Sequence, residues 1–413
     1  MKIIFNYFLA TLFFSSYTKP SLVDVAIGGP AIYYDGIGRL SISFLTMFNN
    51  KFNCGFFITK PDTLLDFTDI PNNLHELLSY DITAAKVLIC TDALWLPGHS
   101  PLLELPDACI KIAYSMFETT AIPQEWVIII NEKFDAVVVP DPFLIDVYKQ
   151  SGVTKPIFQL PVPLDLEPFF ARQVKSLPGE VFTFGSSMGL YSNHKNWELL
   201  IQAFFNAYGN NPHYLLKIHG RFANDDCWNS LVQKVTGLNC SNIQLIYKNL
   251  SQKELIDFMA SLDCYVLLSK GEGFSITPRE ALALGVPCIL ANNTAQKTLC
   301  ASGFVLPVES SLAELAYKKD FGDLFLGYNF NCHLEDAVQA FFLMVDNYPL
   351  YKQKALQGRL WVEQYTKHAL FKKYSTLIAP TKIILGTQDS IEEDYVVTSS
   401  WDLYNKYQKV TSL

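Results

Sequence analysis

Short apolar runs and helical segments alternate along this chain in two successive series, separated by a proline-containing stretch. In the first series LVDVAIG (22–28), CGFFI (54–58), AKVLICT (85–91), CIKIAYSMF (109–117), DAVVVP (135–140) and PIFQLPVP (156–163) read as strands. They are continuously apolar rather than alternating, the pattern of parallel strands covered on both faces. LDLEPFFARQVKSLPGE, with prolines at 168 and 178, reads as a linker. The second series runs VFTFG (181–185), a helix from about Asn196, YLLKIHG (214–220), a helix, IQLIYK (243–248), a helix from Ser251, CYVLLS (264–269), a helix from Pro278, and VPCIL (286–290). Two such series predict an α/β chain of two doubly wound, Rossmann-like domains facing across a cleft. The expected boundaries are 21–165 and 180–360, with a linker at 166–179 and a last segment, 361–413, of a helix packing back on the first domain plus a tail. With 413 residues, half of them hydrophobic, the chain can fill two cores of ordinary size.

A formal net charge of −8 argues against a general nucleic-acid binder, whose affinity rests on a basic footprint. The nine cysteines include no CxxC pair, and several stand in strand-like runs. They read as reduced thiols rather than a disulfide framework or a zinc site. The first twenty residues, MKIIFNYFLATLFFSSYTKP, hold an apolar run from Ile3 to Phe14 that is too short to span a bilayer. They read either as a secretory signal or as an extra strand or membrane-surface anchor.

The sharpest chemistry lies in SKGEGFSITPREALALGVPCIL (269–290), which carries Glu272 in a glycine-flanked loop and Glu280 inside a short helix. Ligands of open α/β sheets bind beyond the carboxyl ends of strands, where this loop falls. Its glycines are expected to let backbone approach a ligand. The N–H groups of Phe274, Ser275 and Ile276 open a helix suited to phosphate oxygens. For Glu280 a second reading stays open: Thr277 as N-cap, Pro278 at the first helical position and Glu280 three after the cap form a capping box. Ser251 and Glu254 repeat that pattern, and there capping is the expected use.

GEGFSITPREALALGVPCIL resembles the donor-site signature of retaining GT-B glycosyltransferases of family 4, the group 1 type, in which seven residues separate two glutamates. FGSSMGLYSNHKNWELLIQAF resembles the opening of that family's C-terminal domain, and MFETTAIPQEWV with DAVVVPDPF the end of its N-terminal one. The resemblance implies a hexosyltransferase with an acceptor-binding first domain and a nucleotide-sugar-binding second one. Glu272 would accept hydrogen bonds from hydroxyls of the transferred sugar, and Glu280 from the ribose. Lys195 would neutralise the diphosphate leaving group, and Gly273, Phe274, Ser275 and Ile276 would line the donor site. Ser275 stands where relatives commonly have glycine. Gly36 and Gly38, in GGPAIYYDGIGRL, would form the loop facing diphosphate and acceptor; an ordinary tight turn is the other reading. Glu118 occupies the place of a histidine near the reacting sugar, and serves either the site or a structural partner. Relatives also carry an arginine before the lysine, where this chain has Ser186, Ser187 and Met188; Lys217 and Lys270 are candidate substitutes. Arg279 is expected to point away from the site, and His99 to serve packing or the surface.

No DxD-like motif stands in the cleft loops, so no metal or other cofactor is expected, only the nucleotide diphosphate-sugar as substrate. The implied partners are that donor and a glycan, lipid or protein acceptor, with peripheral membrane association open. A cytosolic donor favours a cytoplasmic or membrane-associated enzyme, while the first twenty residues leave secretion open. Two rivals share the fold: a nucleotide-sugar epimerase, and a degenerate transferase kept as a sugar-binding or scaffold subunit.

Overall fold

The computed structural model describes residues 22–59, 64–79, 82–96, 105–190, 193–221 and 225–378. The signal-like start, His99 and the tail beyond residue 380 lie outside them. The first domain is built on β1 (Leu22–Gly28), β2 (Cys54–Phe57), β3 (Ala84–Cys90), β4 (Asp107–Tyr114), β5 (Ala136–Val139) and β6 (Ile157–Gln159). Its helices are α1 (Gly36–Phe48), α2 (Asn72–Leu78), α3 (Gln124–Lys133) and α4 (Phe143–Ser151); a short α5 (Glu167–Phe170) lies in the connection. The second domain is built on β7 (Phe182–Gly189), β8 (Tyr214–Arg221), β9 (Ile243–Tyr247), β10 (Cys264–Leu267), β11 (Cys288–Asn292) and β12 (Leu306–Glu309). Its helices are α6 (Trp197–Tyr208), α7 (Asp225–Gly237), α8 (Gln252–Ala260), α9 (Ile276–Ala283) and α10 (Gln296–Ala301). A hairpin, β13 (Leu312–Lys318) and β14 (Leu324–Asn331), precedes α11 (Leu334–Asp346), α12 (Tyr348–Trp361) and α13 (Lys367–Ile378).

Both six-stranded sheets are parallel, ordered β2-β1-β3-β4-β5-β6 and β12-β11-β10-β7-β8-β9. The continuous apolar runs are explained by helices on both faces: β5 and β10 are buried at every position. The strand order of the second sheet reverses between β7 and β10, so the loops leaving those two strands open a crevice together.

Helix ends follow local chemistry. Ser251 and Glu254 form the expected capping box at the start of α8. α6 buries Trp197, Leu200, Ile201 and Phe204 along one face and stops at Gly209. Gly285 takes a left-handed φ of 66° after α9, and Lys352 donates to its carbonyl at 2.6 Å. α13 returns to the first domain, where the Tyr374 ring meets Phe44 at 5.1 Å and Phe48 at 6.4 Å. All nine cysteines are free thiols. Among the described residues no helix is long and apolar enough to cross a membrane.

Two features depart from the sequence reading. Strand β7 continues through Ser186, Ser187 and Met188, so these three are buried strand residues rather than part of a loop. The β13–β14 hairpin has no counterpart in the sequence reading. Its register shift between Leu315 and Tyr317 and the apolar residues on its exposed face, among them Leu315 and Phe325, hide the two-residue period of a strand.

Candidate active site

The loops after β7 and β10 are laced together. Lys270 N–H donates to the His194 carbonyl at 2.7 Å, and the Asn196 side chain donates to the Leu268 carbonyl at 2.9 Å. Lys195, in a tight turn after β7, thereby faces Glu272, and its Nζ donates to Oε1 at 2.6 Å. Glu272 is buried and held from behind, its N–H on the Thr294 hydroxyl at 2.8 Å.

The glycines flanking Glu272 have a different neighbour from the one expected. A Cβ on Gly271 would collide with the Glu118 carbonyl oxygen, and one on Gly273 would stand 3.1 Å from Met116 Cβ and 3.2 Å from the Phe117 carbonyl oxygen. They admit the first domain's backbone, and so bring Glu118 beside Glu272. The Glu118 carboxylate accepts from Lys318 of the hairpin at 2.6 Å and lies 3.9 Å from His194 Nδ1. Burial alone would raise the pKa of Glu118, but the Lys318 charge overrides it and holds the group below its ordinary range. Burial, with Lys318 and Lys195 near, pushes His194 well below the ordinary imidazole value.

Glu280 is not the third residue of a capping box. Ser275, in a left-handed conformation at φ 64°, is the N-cap of α9 without a side-chain bond, and the Thr277 hydroxyl accepts from the Tyr265 hydroxyl at 2.7 Å. The fully buried Glu280 carboxylate reaches across the cleft, where Oε1 accepts from Arg39 of α1. Its Oε2 is buried without a hydrogen-bond partner among the described residues, as is the Ser275 hydroxyl. Burial opposes the charge of Arg39, but the facing Glu280 carboxylate outweighs it and raises the pKa.

Gly36 and Gly38 lie in the first turn of α1, where the N–H groups of Ile37 and Gly38 donate to the Asp35 carboxylate, both at 3.0 Å. Gly38 is required by backbone contact with Ile32, while a Cβ on Gly36 would lie 3.8 Å from Ile276 Cδ1. The starts of α1 and α9 thus lie close together across the cleft, with room for little more than a Cβ at Gly36, and Phe274 is buried. Arg279 is buried and turned from the crevice, its guanidinium 3.8 Å from the Phe274 ring centroid and 4.6 Å from that of Tyr365. It donates to the carbonyls of Phe274 and Ser275 and so braces the loop.

Lys217 does not join this group. It is the fourth residue of β8, toward the amino ends of the strands, and donates to Ser261 at 3.3 Å. Burial, then the neighbouring Lys175 charge, lowers its pKa. Lys270 is engaged by Glu314 of the hairpin at 2.7 Å. Arg39 and Lys318 went unnoticed in the sequence. Arg39 left a faint signal as the one charge in the apolar stretch GIGRLSISFLTMF, whereas Lys318 in YKKD left none.

The assembled crevice offers two carboxylates of the second domain, each paired with a cation, and a third carboxylate from the first domain. That set can accept hydroxyls and stabilise an anion. Among the described residues no cluster of three or more potential metal ligands occurs.

Residues 172–316 match the family model of glycosyl transferases group 1. No curated protein matches the chain. Anabaena Alr3699/HepE, solved with UDP and glucose, superposes with a TM-score of 0.61 at 11% identity, over 87% of this chain and 100% of its own. A glycosyltransferase from Rickettsia africae ESF-5 gives 0.58 at 14% identity, over 90% of this chain and 100% of its own. S. aureus TarM, solved with Fondaparinux, alpha-GlcNAc-glycerol and UDP, gives 0.52 at 15% identity, over 71% of this chain and 55% of its own. At these identities the likeness defines the fold, which is GT-B: two Rossmann-like domains facing across a cleft.

Proposed function

We propose that this chain is a hexosyltransferase that moves a sugar from a nucleoside diphosphate donor to an acceptor hydroxyl with retention of configuration. The observation that carries the reading is the 2.6 Å pairing of Lys195 with Glu272 where the strand order of the second sheet reverses. The group 1 match over residues 172–316 supports it. In this reading Glu272 receives hydroxyls of the transferred sugar, Glu280 receives the ribose hydroxyls, and the start of α9 faces the diphosphate. The acceptor oxygen bonds to the anomeric carbon as the bond to the diphosphate oxygen breaks, and the acceptor proton passes to the departing phosphate. Lys195 offsets the charge that develops there. Glu118 stands at the acceptor side. The acceptor is a glycan, a lipid or a protein, and the enzyme acts in glycan or glycolipid assembly.

The test is release of nucleoside diphosphate by the purified protein from a panel of nucleotide sugars with a mixed acceptor extract, UDP-sugars first, with and without EDTA. Release from one donor that persists in EDTA and is lost in both Glu272→Ala and Lys195→Ala is expected. Release that survives both substitutions would overturn the assignment. Donor turnover without any acceptor would favour an epimerase.

A further inference from the structure

We propose that Arg39 is a displaceable counter-ion: it holds Glu280 in the donor-free protein and moves onto the donor's diphosphate when the ribose hydroxyls take its place. The inference rests on the donor-site reading above and adds a residue and an exchange step to it.

Arg39 and Glu280 come from opposite domains, and their side chains are 9% and 1% exposed. Such a pair neutralises Glu280 but leaves its coordination incomplete, because Oε2 is buried with no donor among the described residues. A carboxylate with one oxygen on a guanidinium and the other unserved is poorly satisfied. A vicinal diol supplies two O–H donors, one for each oxygen. Glu280 is sealed, so a diol reaches its two oxygens only if a covering group moves aside, and Arg39 is the group that sits on Oε1.

A diol is neutral, so the displaced guanidinium would lose its paired carboxylate in a buried setting, which is costly, and Asp165 in the cavity beside it is already engaged by Lys367. The rest of the donor supplies a new counter-charge. Gly36 lies within one turn of Arg39, and a Cβ there would already meet Ile276, so the diphosphate facing the start of α9 is also within reach of α1. Asp35 already occupies the amides of Ile37 and Gly38, so of the first turn only the Gly36 amide remains for it. The side chain of Arg39 is the charge that α1 has to offer. It has room and a leash: a cavity lined by Tyr33, Arg39, Ser43, Asp165, Ile276 and Lys367 lies beside it, and its guanidinium carbon sits 5.6 Å from the Tyr33 ring centroid.

Of the other cations at the crevice, Lys318 is held by Glu118, Lys270 by Glu314, and Arg279 is turned to loop carbonyls, while Lys195 on Glu272 is the one already assigned to the leaving phosphate. Ser186, Ser187 and Met188 are sealed in β7 and supply no charge. Arg39, like Lys195, is a cation that the donor's own hydroxyls would release from its carboxylate.

The exchange gives opposite signs for two ligands. Removing Arg39 frees Glu280 for a nucleoside but takes a charge from the diphosphate. Calorimetric titration of the full chain with uridine and UDP, guanosine and GDP, and adenosine and ADP would first find the base that binds. Arg39→Ala and the longer, uncharged Arg39→Gln are then compared with the wild type, and Arg39→Gln carries the test if Arg39→Ala does not fold. The nucleoside should bind more tightly in the variants. The nucleoside diphosphate should bind about tenfold or more weakly, the worth of one charge-assisted hydrogen bond. Both ligands weakened together would make Arg39 a structural brace, and both tightened a mere obstruction; either result, or no change in either ligand, overturns the proposal. A wild-type protein that binds none of the diphosphates would instead remove the donor-site reading, and this inference with it.

Discussion

Two segments of the second domain close on Glu118, and they do so in contrasting ways. The loop from β10 to α9 is buried along most of its length and braced from within, by Thr294 behind Glu272 and by Arg279 on the carbonyls of Phe274 and Ser275. The β13–β14 hairpin turns an exposed apolar face outward, with Leu315, Tyr317, Phe325 and Tyr328 each about half exposed. It grips the first domain at three points: Lys318 on Glu118, Tyr328 N–H on the Thr120 hydroxyl, and Phe321 among Phe117, Trp126 and Trp95. The loop is a site whose parts are neighbours in sequence. The hairpin is a clamp whose parts matter only for where they land. Damage to the loop should therefore appear mainly in chemistry, and damage to the hairpin mainly in the coupling of the domains.

The strongest test of that division is Phe321→Ala. The ring is buried and lies 5.5 Å from Phe117 and 6.0 Å from Trp126, so its loss should cost about 3–5 kcal/mol of stability in denaturant melts. Unchanged stability would break the clamp reading. Next comes Lys195→Ala, which should lower turnover by roughly 10²–10³-fold, the usual worth of one group that stabilises developing charge. A loss confined to KM would instead place Lys195 in ground-state binding. Lys318→Ala stands between the two regions. It strands the Glu118 carboxylate, and with Glu118 about a quarter exposed the cost should be about 2–3 kcal/mol. Pairing Lys318→Met with Glu118→Gln should recover most of it, because the penalty comes from the unpaired charge.

What the sequence disclosed follows the same line. Parallel strands were legible because both their faces are covered, and the Ser251 capping box because its partners lie within one helical turn. Thr277 and Glu280 carry the same local pattern and form no such box. There Arg39, 241 positions away, takes the carboxylate, and no local rule anticipates that. The glycines beside Glu272 were legible as sites of close approach, but what approaches is the backbone of Phe117 and Glu118 and the side chain of Met116. Lys217 was placed by charge alone, while the direction of β8 carries it toward the other end of the sheet.

The smallest effect sharpens the comparison most, because His194 lies where loop and hairpin meet. Its folded pKa is depressed well below 6.5, first by burial and then by Lys318 and Lys195. The folded protein therefore keeps His194 neutral while the unfolded chain takes up a proton below about pH 6.5. Stability from this residue is complete above that value and falls as the pH drops, by up to about 1.4 kcal/mol per pH unit. His219, depressed to about 4 by burial, adds to the slope in the same sense. The Glu118 carboxylate acts in a separate, lower window, its stabilisation being lost only as the pH falls below its ordinary 4.5. Denaturant melts between pH 7 and 5 should show the slope reduced but not abolished in His194→Gln. Lys318→Met should soften it too, by removing one of the charges that depress His194. A slope untouched by Lys318→Met would mean that burial by the loop alone keeps His194 neutral, and that the hairpin holds the domains without setting the electrostatics of the crevice.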